Sequence, residues 1–122
     1  MALIKSTPKE ESWFWQDDAY LDGETVQCVN HRFRDEERSF VSGNIAPDAD
    51  HGWSTATSDY YYLIVAGSGV VEISAGVGHK VSETHEIKAG ESFIIKAGTT
   101  YNYRAGADGL TFVLFMNNLW DE

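Results

Sequence analysis

The groups able to do chemistry in this 122-residue sequence are few. There are four histidines, His31, His51, His79 and His85, one cysteine, Cys28, and four arginines, Arg32, Arg34, Arg38 and Arg104. Six tyrosines accompany them, most in Tyr60-Tyr61-Tyr62 and Tyr101-Asn102-Tyr103. An imidazole exchanges protons near neutral pH and a phenol can donate one, so a His/Tyr pair is the candidate for acid–base work. Alternation along residues 25–33 groups Val29, His31 and Phe33 on one face of a strand, and Cys28, Asn30, Arg32 and Arg34 on the other. His31 is then either a base facing a cavity or a hydrogen-bonded structural histidine. Cys28 has no histidine on its face and reads as a buried, inert thiol. His79 and His85 fall in GVGHKVSETHE and read as surface residues, and His51, between Asp50 and Gly52, as an exposed loop histidine. A guanidinium fork can hold a carboxylate or phosphate. Asp35, Glu36 and Glu37 stand beside Arg32, Arg34 and Arg38, however, and make surface ion pairs the expected use of those three. No phosphate-binding loop, nucleophile elbow or dinucleotide fingerprint occurs, so nucleotide-dependent chemistry is not expected.

The elements that must carry these residues read as strands. Eleven glycines and two prolines separate short runs rich in Val, Ile, Tyr and Phe, at 25–33, 40–46, 60–66, 70–75, 85–88, 92–96, 101–104 and 110–116. Gly67-Ser68-Gly69, Ala89-Gly90 and Ala97-Gly98 are the clearest punctuation. Eight short strands predict an all-β, single-domain antiparallel barrel or sandwich over residues 25–122, preceded by an arm or edge segment over 1–24. Several runs, such as 61–65 and 110–116, are apolar on both faces, which implies a second packing partner: a covering arm, a central position in a sandwich, or a second copy in a homodimer.

Composition narrows the partners. Nineteen Asp and Glu against nine Lys and Arg give a net charge of −10, with no basic stripe to neutralise phosphates, so neither nucleic acid nor an anionic membrane is an expected partner. A single cysteine cannot form an internal disulfide. The opening MALIKSTPKEESW has only a short apolar run before Lys5, and no stretch approaches a membrane span. A soluble, acidic, cytoplasmic protein is the expectation.

Two segments, YYYLIVAGSG at 60–69 and GESFIIKAGTTYNY at 90–103, resemble the two halves of the cupin motif, and with their flanks the resemblance covers about residues 40 to 117. The resemblance implies the jelly-roll barrel of that superfamily. Its first motif runs Gly, five residues, His-x-His, three or four residues, Glu, six residues, Gly. Setting the last glycine on Gly67 puts the Glu position at Tyr60 and the two His positions at Ser54 and Ala56, or at Trp53 and Thr55. In the second motif Gly90 opens, Ala97-Gly98 takes the Pro-Gly turn, Tyr101 stands at the His position and Ala105 at the Asn position. The glycines match while every metal-liganding residue departs, so the expectation is a cupin-like fold with no metal and no other cofactor. His51 could substitute as a ligand only after a loop shift.

If Tyr60 and Tyr101 point inward as the family's ligands do, alternation turns Tyr62, Ile64 and Tyr103 inward too, with Phe93 and Ile95 on the intervening strand. The expected ligand-binding set is therefore Tyr60, Tyr62, Ile64, Phe93, Ile95, Tyr101 and Tyr103, suited to a flat, largely apolar small molecule. The bland alternative is four tyrosines that fill a small barrel. A second functional reading is a metal-independent isomerase, epimerase, cyclase or lyase in which His31 accepts a proton and Tyr60 or Tyr101 donates one. A third is a protein-interaction module presenting Trp13, Trp15 and Trp53.

Overall fold

The computed structural model describes residues 15–22, 25–34, 36–75 and 80–117, with side chains from residue 32 onward. Every regular element among them is a strand: β1 (Trp15–Asp22), β2 (Thr25–Arg34), β3 (Arg38–Ile45), β4 (Ser54–Thr55), β5 (Tyr60–Ser74), β6 (Val81–Lys88), β7 (Ser92–Ile95) and β8 (Thr100–Asn117). No helix among them is long and apolar enough to cross a membrane. All pairings are antiparallel, in the order β1-β2-β3-β8-β5-β6, with β4 added to β8 and β7 to β5. The strand path does not close. β1 and β6 are its edges, so the expected closed barrel is an open antiparallel jelly roll.

The strand divisions also differ from the sequence expectation. Runs 60–66 and 70–75 are one 15-residue strand, and 101–104 and 110–116 are one 18-residue strand. Gly67-Ser68-Gly69 is not a turn but the point where β5 crosses β8. Gly67 has φ +80°, and a Cβ there would run into the carbonyl oxygen of Gly109; a Cβ on Gly69 would run into that of Arg104. The register jumps from Gly69↔Ala105 to Gly67↔Leu110 and skips residues 106–109. Backbones this close exclude any side chain, and the irregularity bends both strands. As a result the first half of β5 pairs with β7 and the C-terminal half of β8, while its second half pairs with β6 and the N-terminal half of β8. One pair of long strands thus supplies both leaves of the fold.

Period-two alternation decides what lies between the leaves. On β5, Tyr60, Tyr62 and Ile64 are buried while Tyr61, Leu63 and Val65 are exposed. They join Val41 and Ile45 of β3, Leu110, Phe112, Leu114 and Met116 of β8, and Val71, Tyr101, Tyr103 and Ala105 of the other leaf in a single core. Each large apolar side chain removed from water contributes about 1.5–3 kcal/mol. The outer face is apolar as well. Register sets Phe40 beside Phe115, Phe115 beside Tyr61 and Tyr61 beside Ile94, a row across four strands in which Tyr61 is 53% and Phe115 48% exposed. The Phe40 and Phe115 rings meet edge to face at 5.6 Å.

Candidate functional site

Between the leaves lies a cavity of about 230 Å³. Larger depressions lie elsewhere: one of about 610 Å³ along the outer face at Phe40, Tyr61 and Phe115, and one of about 460 Å³ beside β6 and β7, lined by the core residues Val71, Ile87 and Ile95 with Ile73 and Phe93. The internal one combines depth with titratable and hydrogen-bonding groups, and is the candidate site. Its wall carries Tyr60 and Tyr62 from β5 and Tyr101 and Tyr103 from β8. The rings lock one another: Tyr60 meets Tyr101 at 6.3 Å and 85°, Tyr62 meets Tyr103 at 5.4 Å and 69°, and Tyr101 meets Tyr103 at 5.2 Å. Edge-to-face contacts of this kind each add about 0.5–1.5 kcal/mol beyond burial and restrict the rotamers. Tyr60 Oη accepts the backbone N–H of Thr57 at 3.2 Å and lies 3.1 Å from Thr57 Oγ1, so its own proton is available to that hydroxyl or to a ligand. Val41, Phe112, Leu114 and Met116 form the apolar floor.

His51 also lines this cavity, which corrects its reading as an exposed loop residue. The chain before β4 is zipped to the edge of β8: Asp48 N–H donates to Gly106 O at 3.0 Å, Ala105 N–H to Ala49 O at 2.9 Å, and His51 N–H to Tyr103 O at 2.9 Å. Gly52 N–H donates to Oδ1 of buried Asn102 at 2.9 Å. Asn102 Nδ2 donates in turn to Glu72 Oε1, which also takes a 2.8 Å bond from Arg104 Nε. Arg104 faces outward, 3.4 Å from Asp50. This anchoring sets the His51 ring edge-on to Tyr103 at 5.1 Å. Burial holds the imidazole's pKa below its ordinary value, an effect only partly opposed by the 3.2 Å contact of Nδ1 with Gly52 O. A carbonyl can only accept, so Nδ1 carries the proton and Nε2 is the basic nitrogen.

Arg32 is the second departure. Register places Arg32 opposite Val41, a core residue, and Arg32 lines the cavity with Nε buried. Arg34, two positions on, is only 6% exposed. His31 pairs with Ser42, one step out of phase with Arg32 and Val41; its side chain, like that of Cys28, lies outside those described. Ile64 and Ile95 are buried on the inner face without lining the cavity, and Phe93 stacks on Tyr62 at 4.9 Å and 16°. These three back the tyrosines from behind. His85 is exposed beside Glu83. His79 and Trp13 lie outside the described residues, as does the Trp15 side chain, and Trp53 is half-buried.

The positions at which the family carries metal ligands converge here, since Ser54, Tyr60 and Tyr101 all line the cavity and Ser54 pairs with Tyr101. Their chemistry does not fit a metal. One imidazole among phenols and hydroxyls is not the set of several imidazole and carboxylate donors that a divalent ion needs. Among the described residues no three His, Cys, Asp or Glu converge.

No protein-family model matches the sequence, and no curated protein does. Solved structures do resemble the fold. An oxalate decarboxylase from Bacillus subtilis matches with a TM-score of 0.65 at 14% identity, over 75% of this chain and 25% of that one. The Lactobacillus farciminis oxalate decarboxylase in its formate complex matches with 0.65 at 16%, over 88% and 33%. A conserved protein of unknown function from Streptococcus pyogenes matches with 0.61 at 14%, over 73% and 72%. The chain spans only a quarter to a third of the two decarboxylases, and identities this low carry the fold alone. Strand order, the glycine crossing and these likenesses agree on it: the chain has the cupin fold.

Proposed function

We propose that this protein binds a small organic molecule, without a metal, in the cavity ringed by Tyr60, Tyr62, Tyr101 and Tyr103. The observation that carries the reading is four mutually braced phenols around about 230 Å³, two of them, Tyr60 and Tyr101, at positions where the fold's metal ligands would stand. Rigid aromatic walls offer contact area at little entropic cost, and a few hydroxyls supply orientation. The acid excess and the single cysteine suit a soluble protein of a reducing compartment. A fragment titration followed by backbone amide shifts tests the reading. Saturable shifts at residues 51, 60, 62, 101 and 103 support it; shifts confined to the outer face count against it.

Metal-independent acid–base turnover is a second reading, and His51 favours it. A neutral imidazole on the wall beside Tyr103, with Tyr60 and Tyr101 nearby, pairs a base with candidate acids. In this reading His51 takes the role that His31 was expected to fill. Deuterium from D2O appearing in a cavity ligand would distinguish turnover from simple binding.

The outer row of Phe40, Phe115, Tyr61 and Ile94 supports a third element, a homodimer that buries this face. A different protein on the same face is the competing occupant. The row accounts for strands that are apolar on both sides, which a monomer would leave in water.

A further inference from the structure

We infer that the groove between β6 and β7 is a second binding site and that it takes an organic amine, a molecule with an apolar body and a cationic head. The groove stands apart from the tyrosine cavity: the two share no lining residue, and neither reading rests on the other. Among the described strands β6 and β7 each pair with β5 alone, β7 along its first half and β6 along its second. The two leaves therefore part along this side, and no described strand covers the gap. Its floor is apolar, made by Val71, Ile73, Ile87, Phe93 and Ile95, three of them buried core residues. At about 460 Å³ it falls within the range of small-molecule pockets, about 300–1,000 Å³.

Register explains why the groove is more than an unfinished core. Glu83 lies opposite Ile73 and His85 opposite the buried Val71, and partners across an antiparallel ladder share a face. Glu83 and His85 thus stand on the inner face of β6, yet every residue of β6 except Ile87 is exposed. Closing the leaves here would strip water from a carboxylate and an imidazole, a cost that keeps the mouth open. The charge around the mouth then selects the ligand. Glu83, Glu86 and Glu91 line it, and Glu91 Oε1 accepts the Lys88 N–H at 2.8 Å, which fixes that carboxylate beside the groove. The lysine on the rim, Lys96, is held by Asp59 at 2.8 Å, and His85 Nε2 lies 3.3 Å from Glu83. An ammonium donates to carboxylates while its apolar body covers the floor, whereas an anion meets repulsion. The chain's net charge of −10 attracts any cation weakly from all sides. The apolar floor is what would hold an amine at this place.

The test compares phenethylammonium, phenethyl alcohol and phenylacetate, which share a ring and differ in charge, by calorimetry and backbone amide shifts on the full chain. Ion pairs on an exposed rim change affinity by roughly a few-fold each, so phenethylammonium is expected to bind roughly three- to tenfold more tightly than the alcohol, with phenylacetate weakest. Saturable shifts should centre on residues 73, 83, 85, 87 and 93. Methylammonium, which has no ring, should leave those residues unshifted. Replacing both exposed carboxylates, Glu83→Gln with Glu86→Gln, should bring phenethylammonium down to the alcohol's level and leave the alcohol unchanged. Equal binding of phenethylammonium and the alcohol in the unsubstituted protein overturns the amine class. A preference that survives in the double variant assigns it to the overall charge and overturns the inference as well. Shifts confined to residues 51, 60, 101 and 103 place the ligand in the tyrosine cavity instead, which overturns the groove and leaves the cavity reading intact. Shifts of the groove residues on raising protein concentration without any probe mean that a second copy of the chain fills it, which also overturns the inference.

Discussion

Replacing Gly67 by alanine isolates what holds the two leaves together. Two costs act at this position. A φ of +80° disfavours any L-residue by roughly 1–2 kcal/mol. The new methyl would also overlap the carbonyl of Gly109, which is main chain and cannot rotate aside. Relieving that overlap means drawing β5 away from β8 where their register jumps, a local overpacking that costs typically about 1–3 kcal/mol. The sum is roughly 2–5 kcal/mol, against a total of about 5–15 kcal/mol for a natural domain. Gly98 is the matched control: its φ is +85°, but no atom lies within 4 Å of the added Cβ. Gly98→Ala should therefore show the conformational cost alone, about 1–2 kcal/mol. Urea and thermal unfolding followed by circular dichroism measure both. At roughly 3–5 °C per kcal/mol for a chain of this size, Gly98→Ala should lower Tm by about 3–10 °C and Gly67→Ala by about 6–25 °C. Equal losses from the two substitutions would refute the claim that close strand crossing, rather than backbone conformation, is what requires glycine at Gly67.

Two further outcomes follow from the site and the outer face. His51 has its pKa lowered on folding, so the unfolded chain binds a proton near pH 6.5 that the folded chain declines. Stability on this account is full above about pH 6.5 and declines as pH falls from there toward the depressed folded value, by at most about 1.4 kcal/mol per pH unit for one proton. His51→Gln should flatten the dependence of Tm between pH 6.5 and 5, and an unchanged slope removes His51 as its source. On the outer face, Phe115→Glu puts a charge at the centre of the apolar row and should convert a dimer into a monomer in light scattering, with cavity binding retained. A protein already monomeric at high concentration before substitution contradicts the homodimer.

The inward tyrosines were legible because side-chain direction in a strand has a strictly local period of two. Once Tyr60 and Tyr101 are inward, so are Tyr62 and Tyr103, and burial follows that rule along the first half of β5. The all-β class was legible from short apolar runs and glycine spacing for the same reason. Gly67-Ser68-Gly69 was misread because a glycine that turns the chain and a glycine that admits another backbone look identical in sequence. Only the carbonyls of Gly109 and Arg104 tell them apart.

Arg32 and His51 on the cavity wall belong to the same class of problem. Alternation sorted β2 into two faces but could not say which one meets the core, since each carries apolar and polar residues. Pairing of Arg32 with Val41 resolves it, and that is a property of two strands rather than one. His51 stands close to the motif, and its neighbours Asp50 and Gly52 suggested an exposed loop. Its burial comes from hydrogen bonds to Tyr103 and Asn102, about fifty residues further along the chain. The sequence by itself therefore determined the strand class and the phenolic wall, because both follow from neighbours along the chain. Which charge and which base share that wall was decided by the tertiary structure, because register and strand crossing are relations between distant segments that no local period encodes.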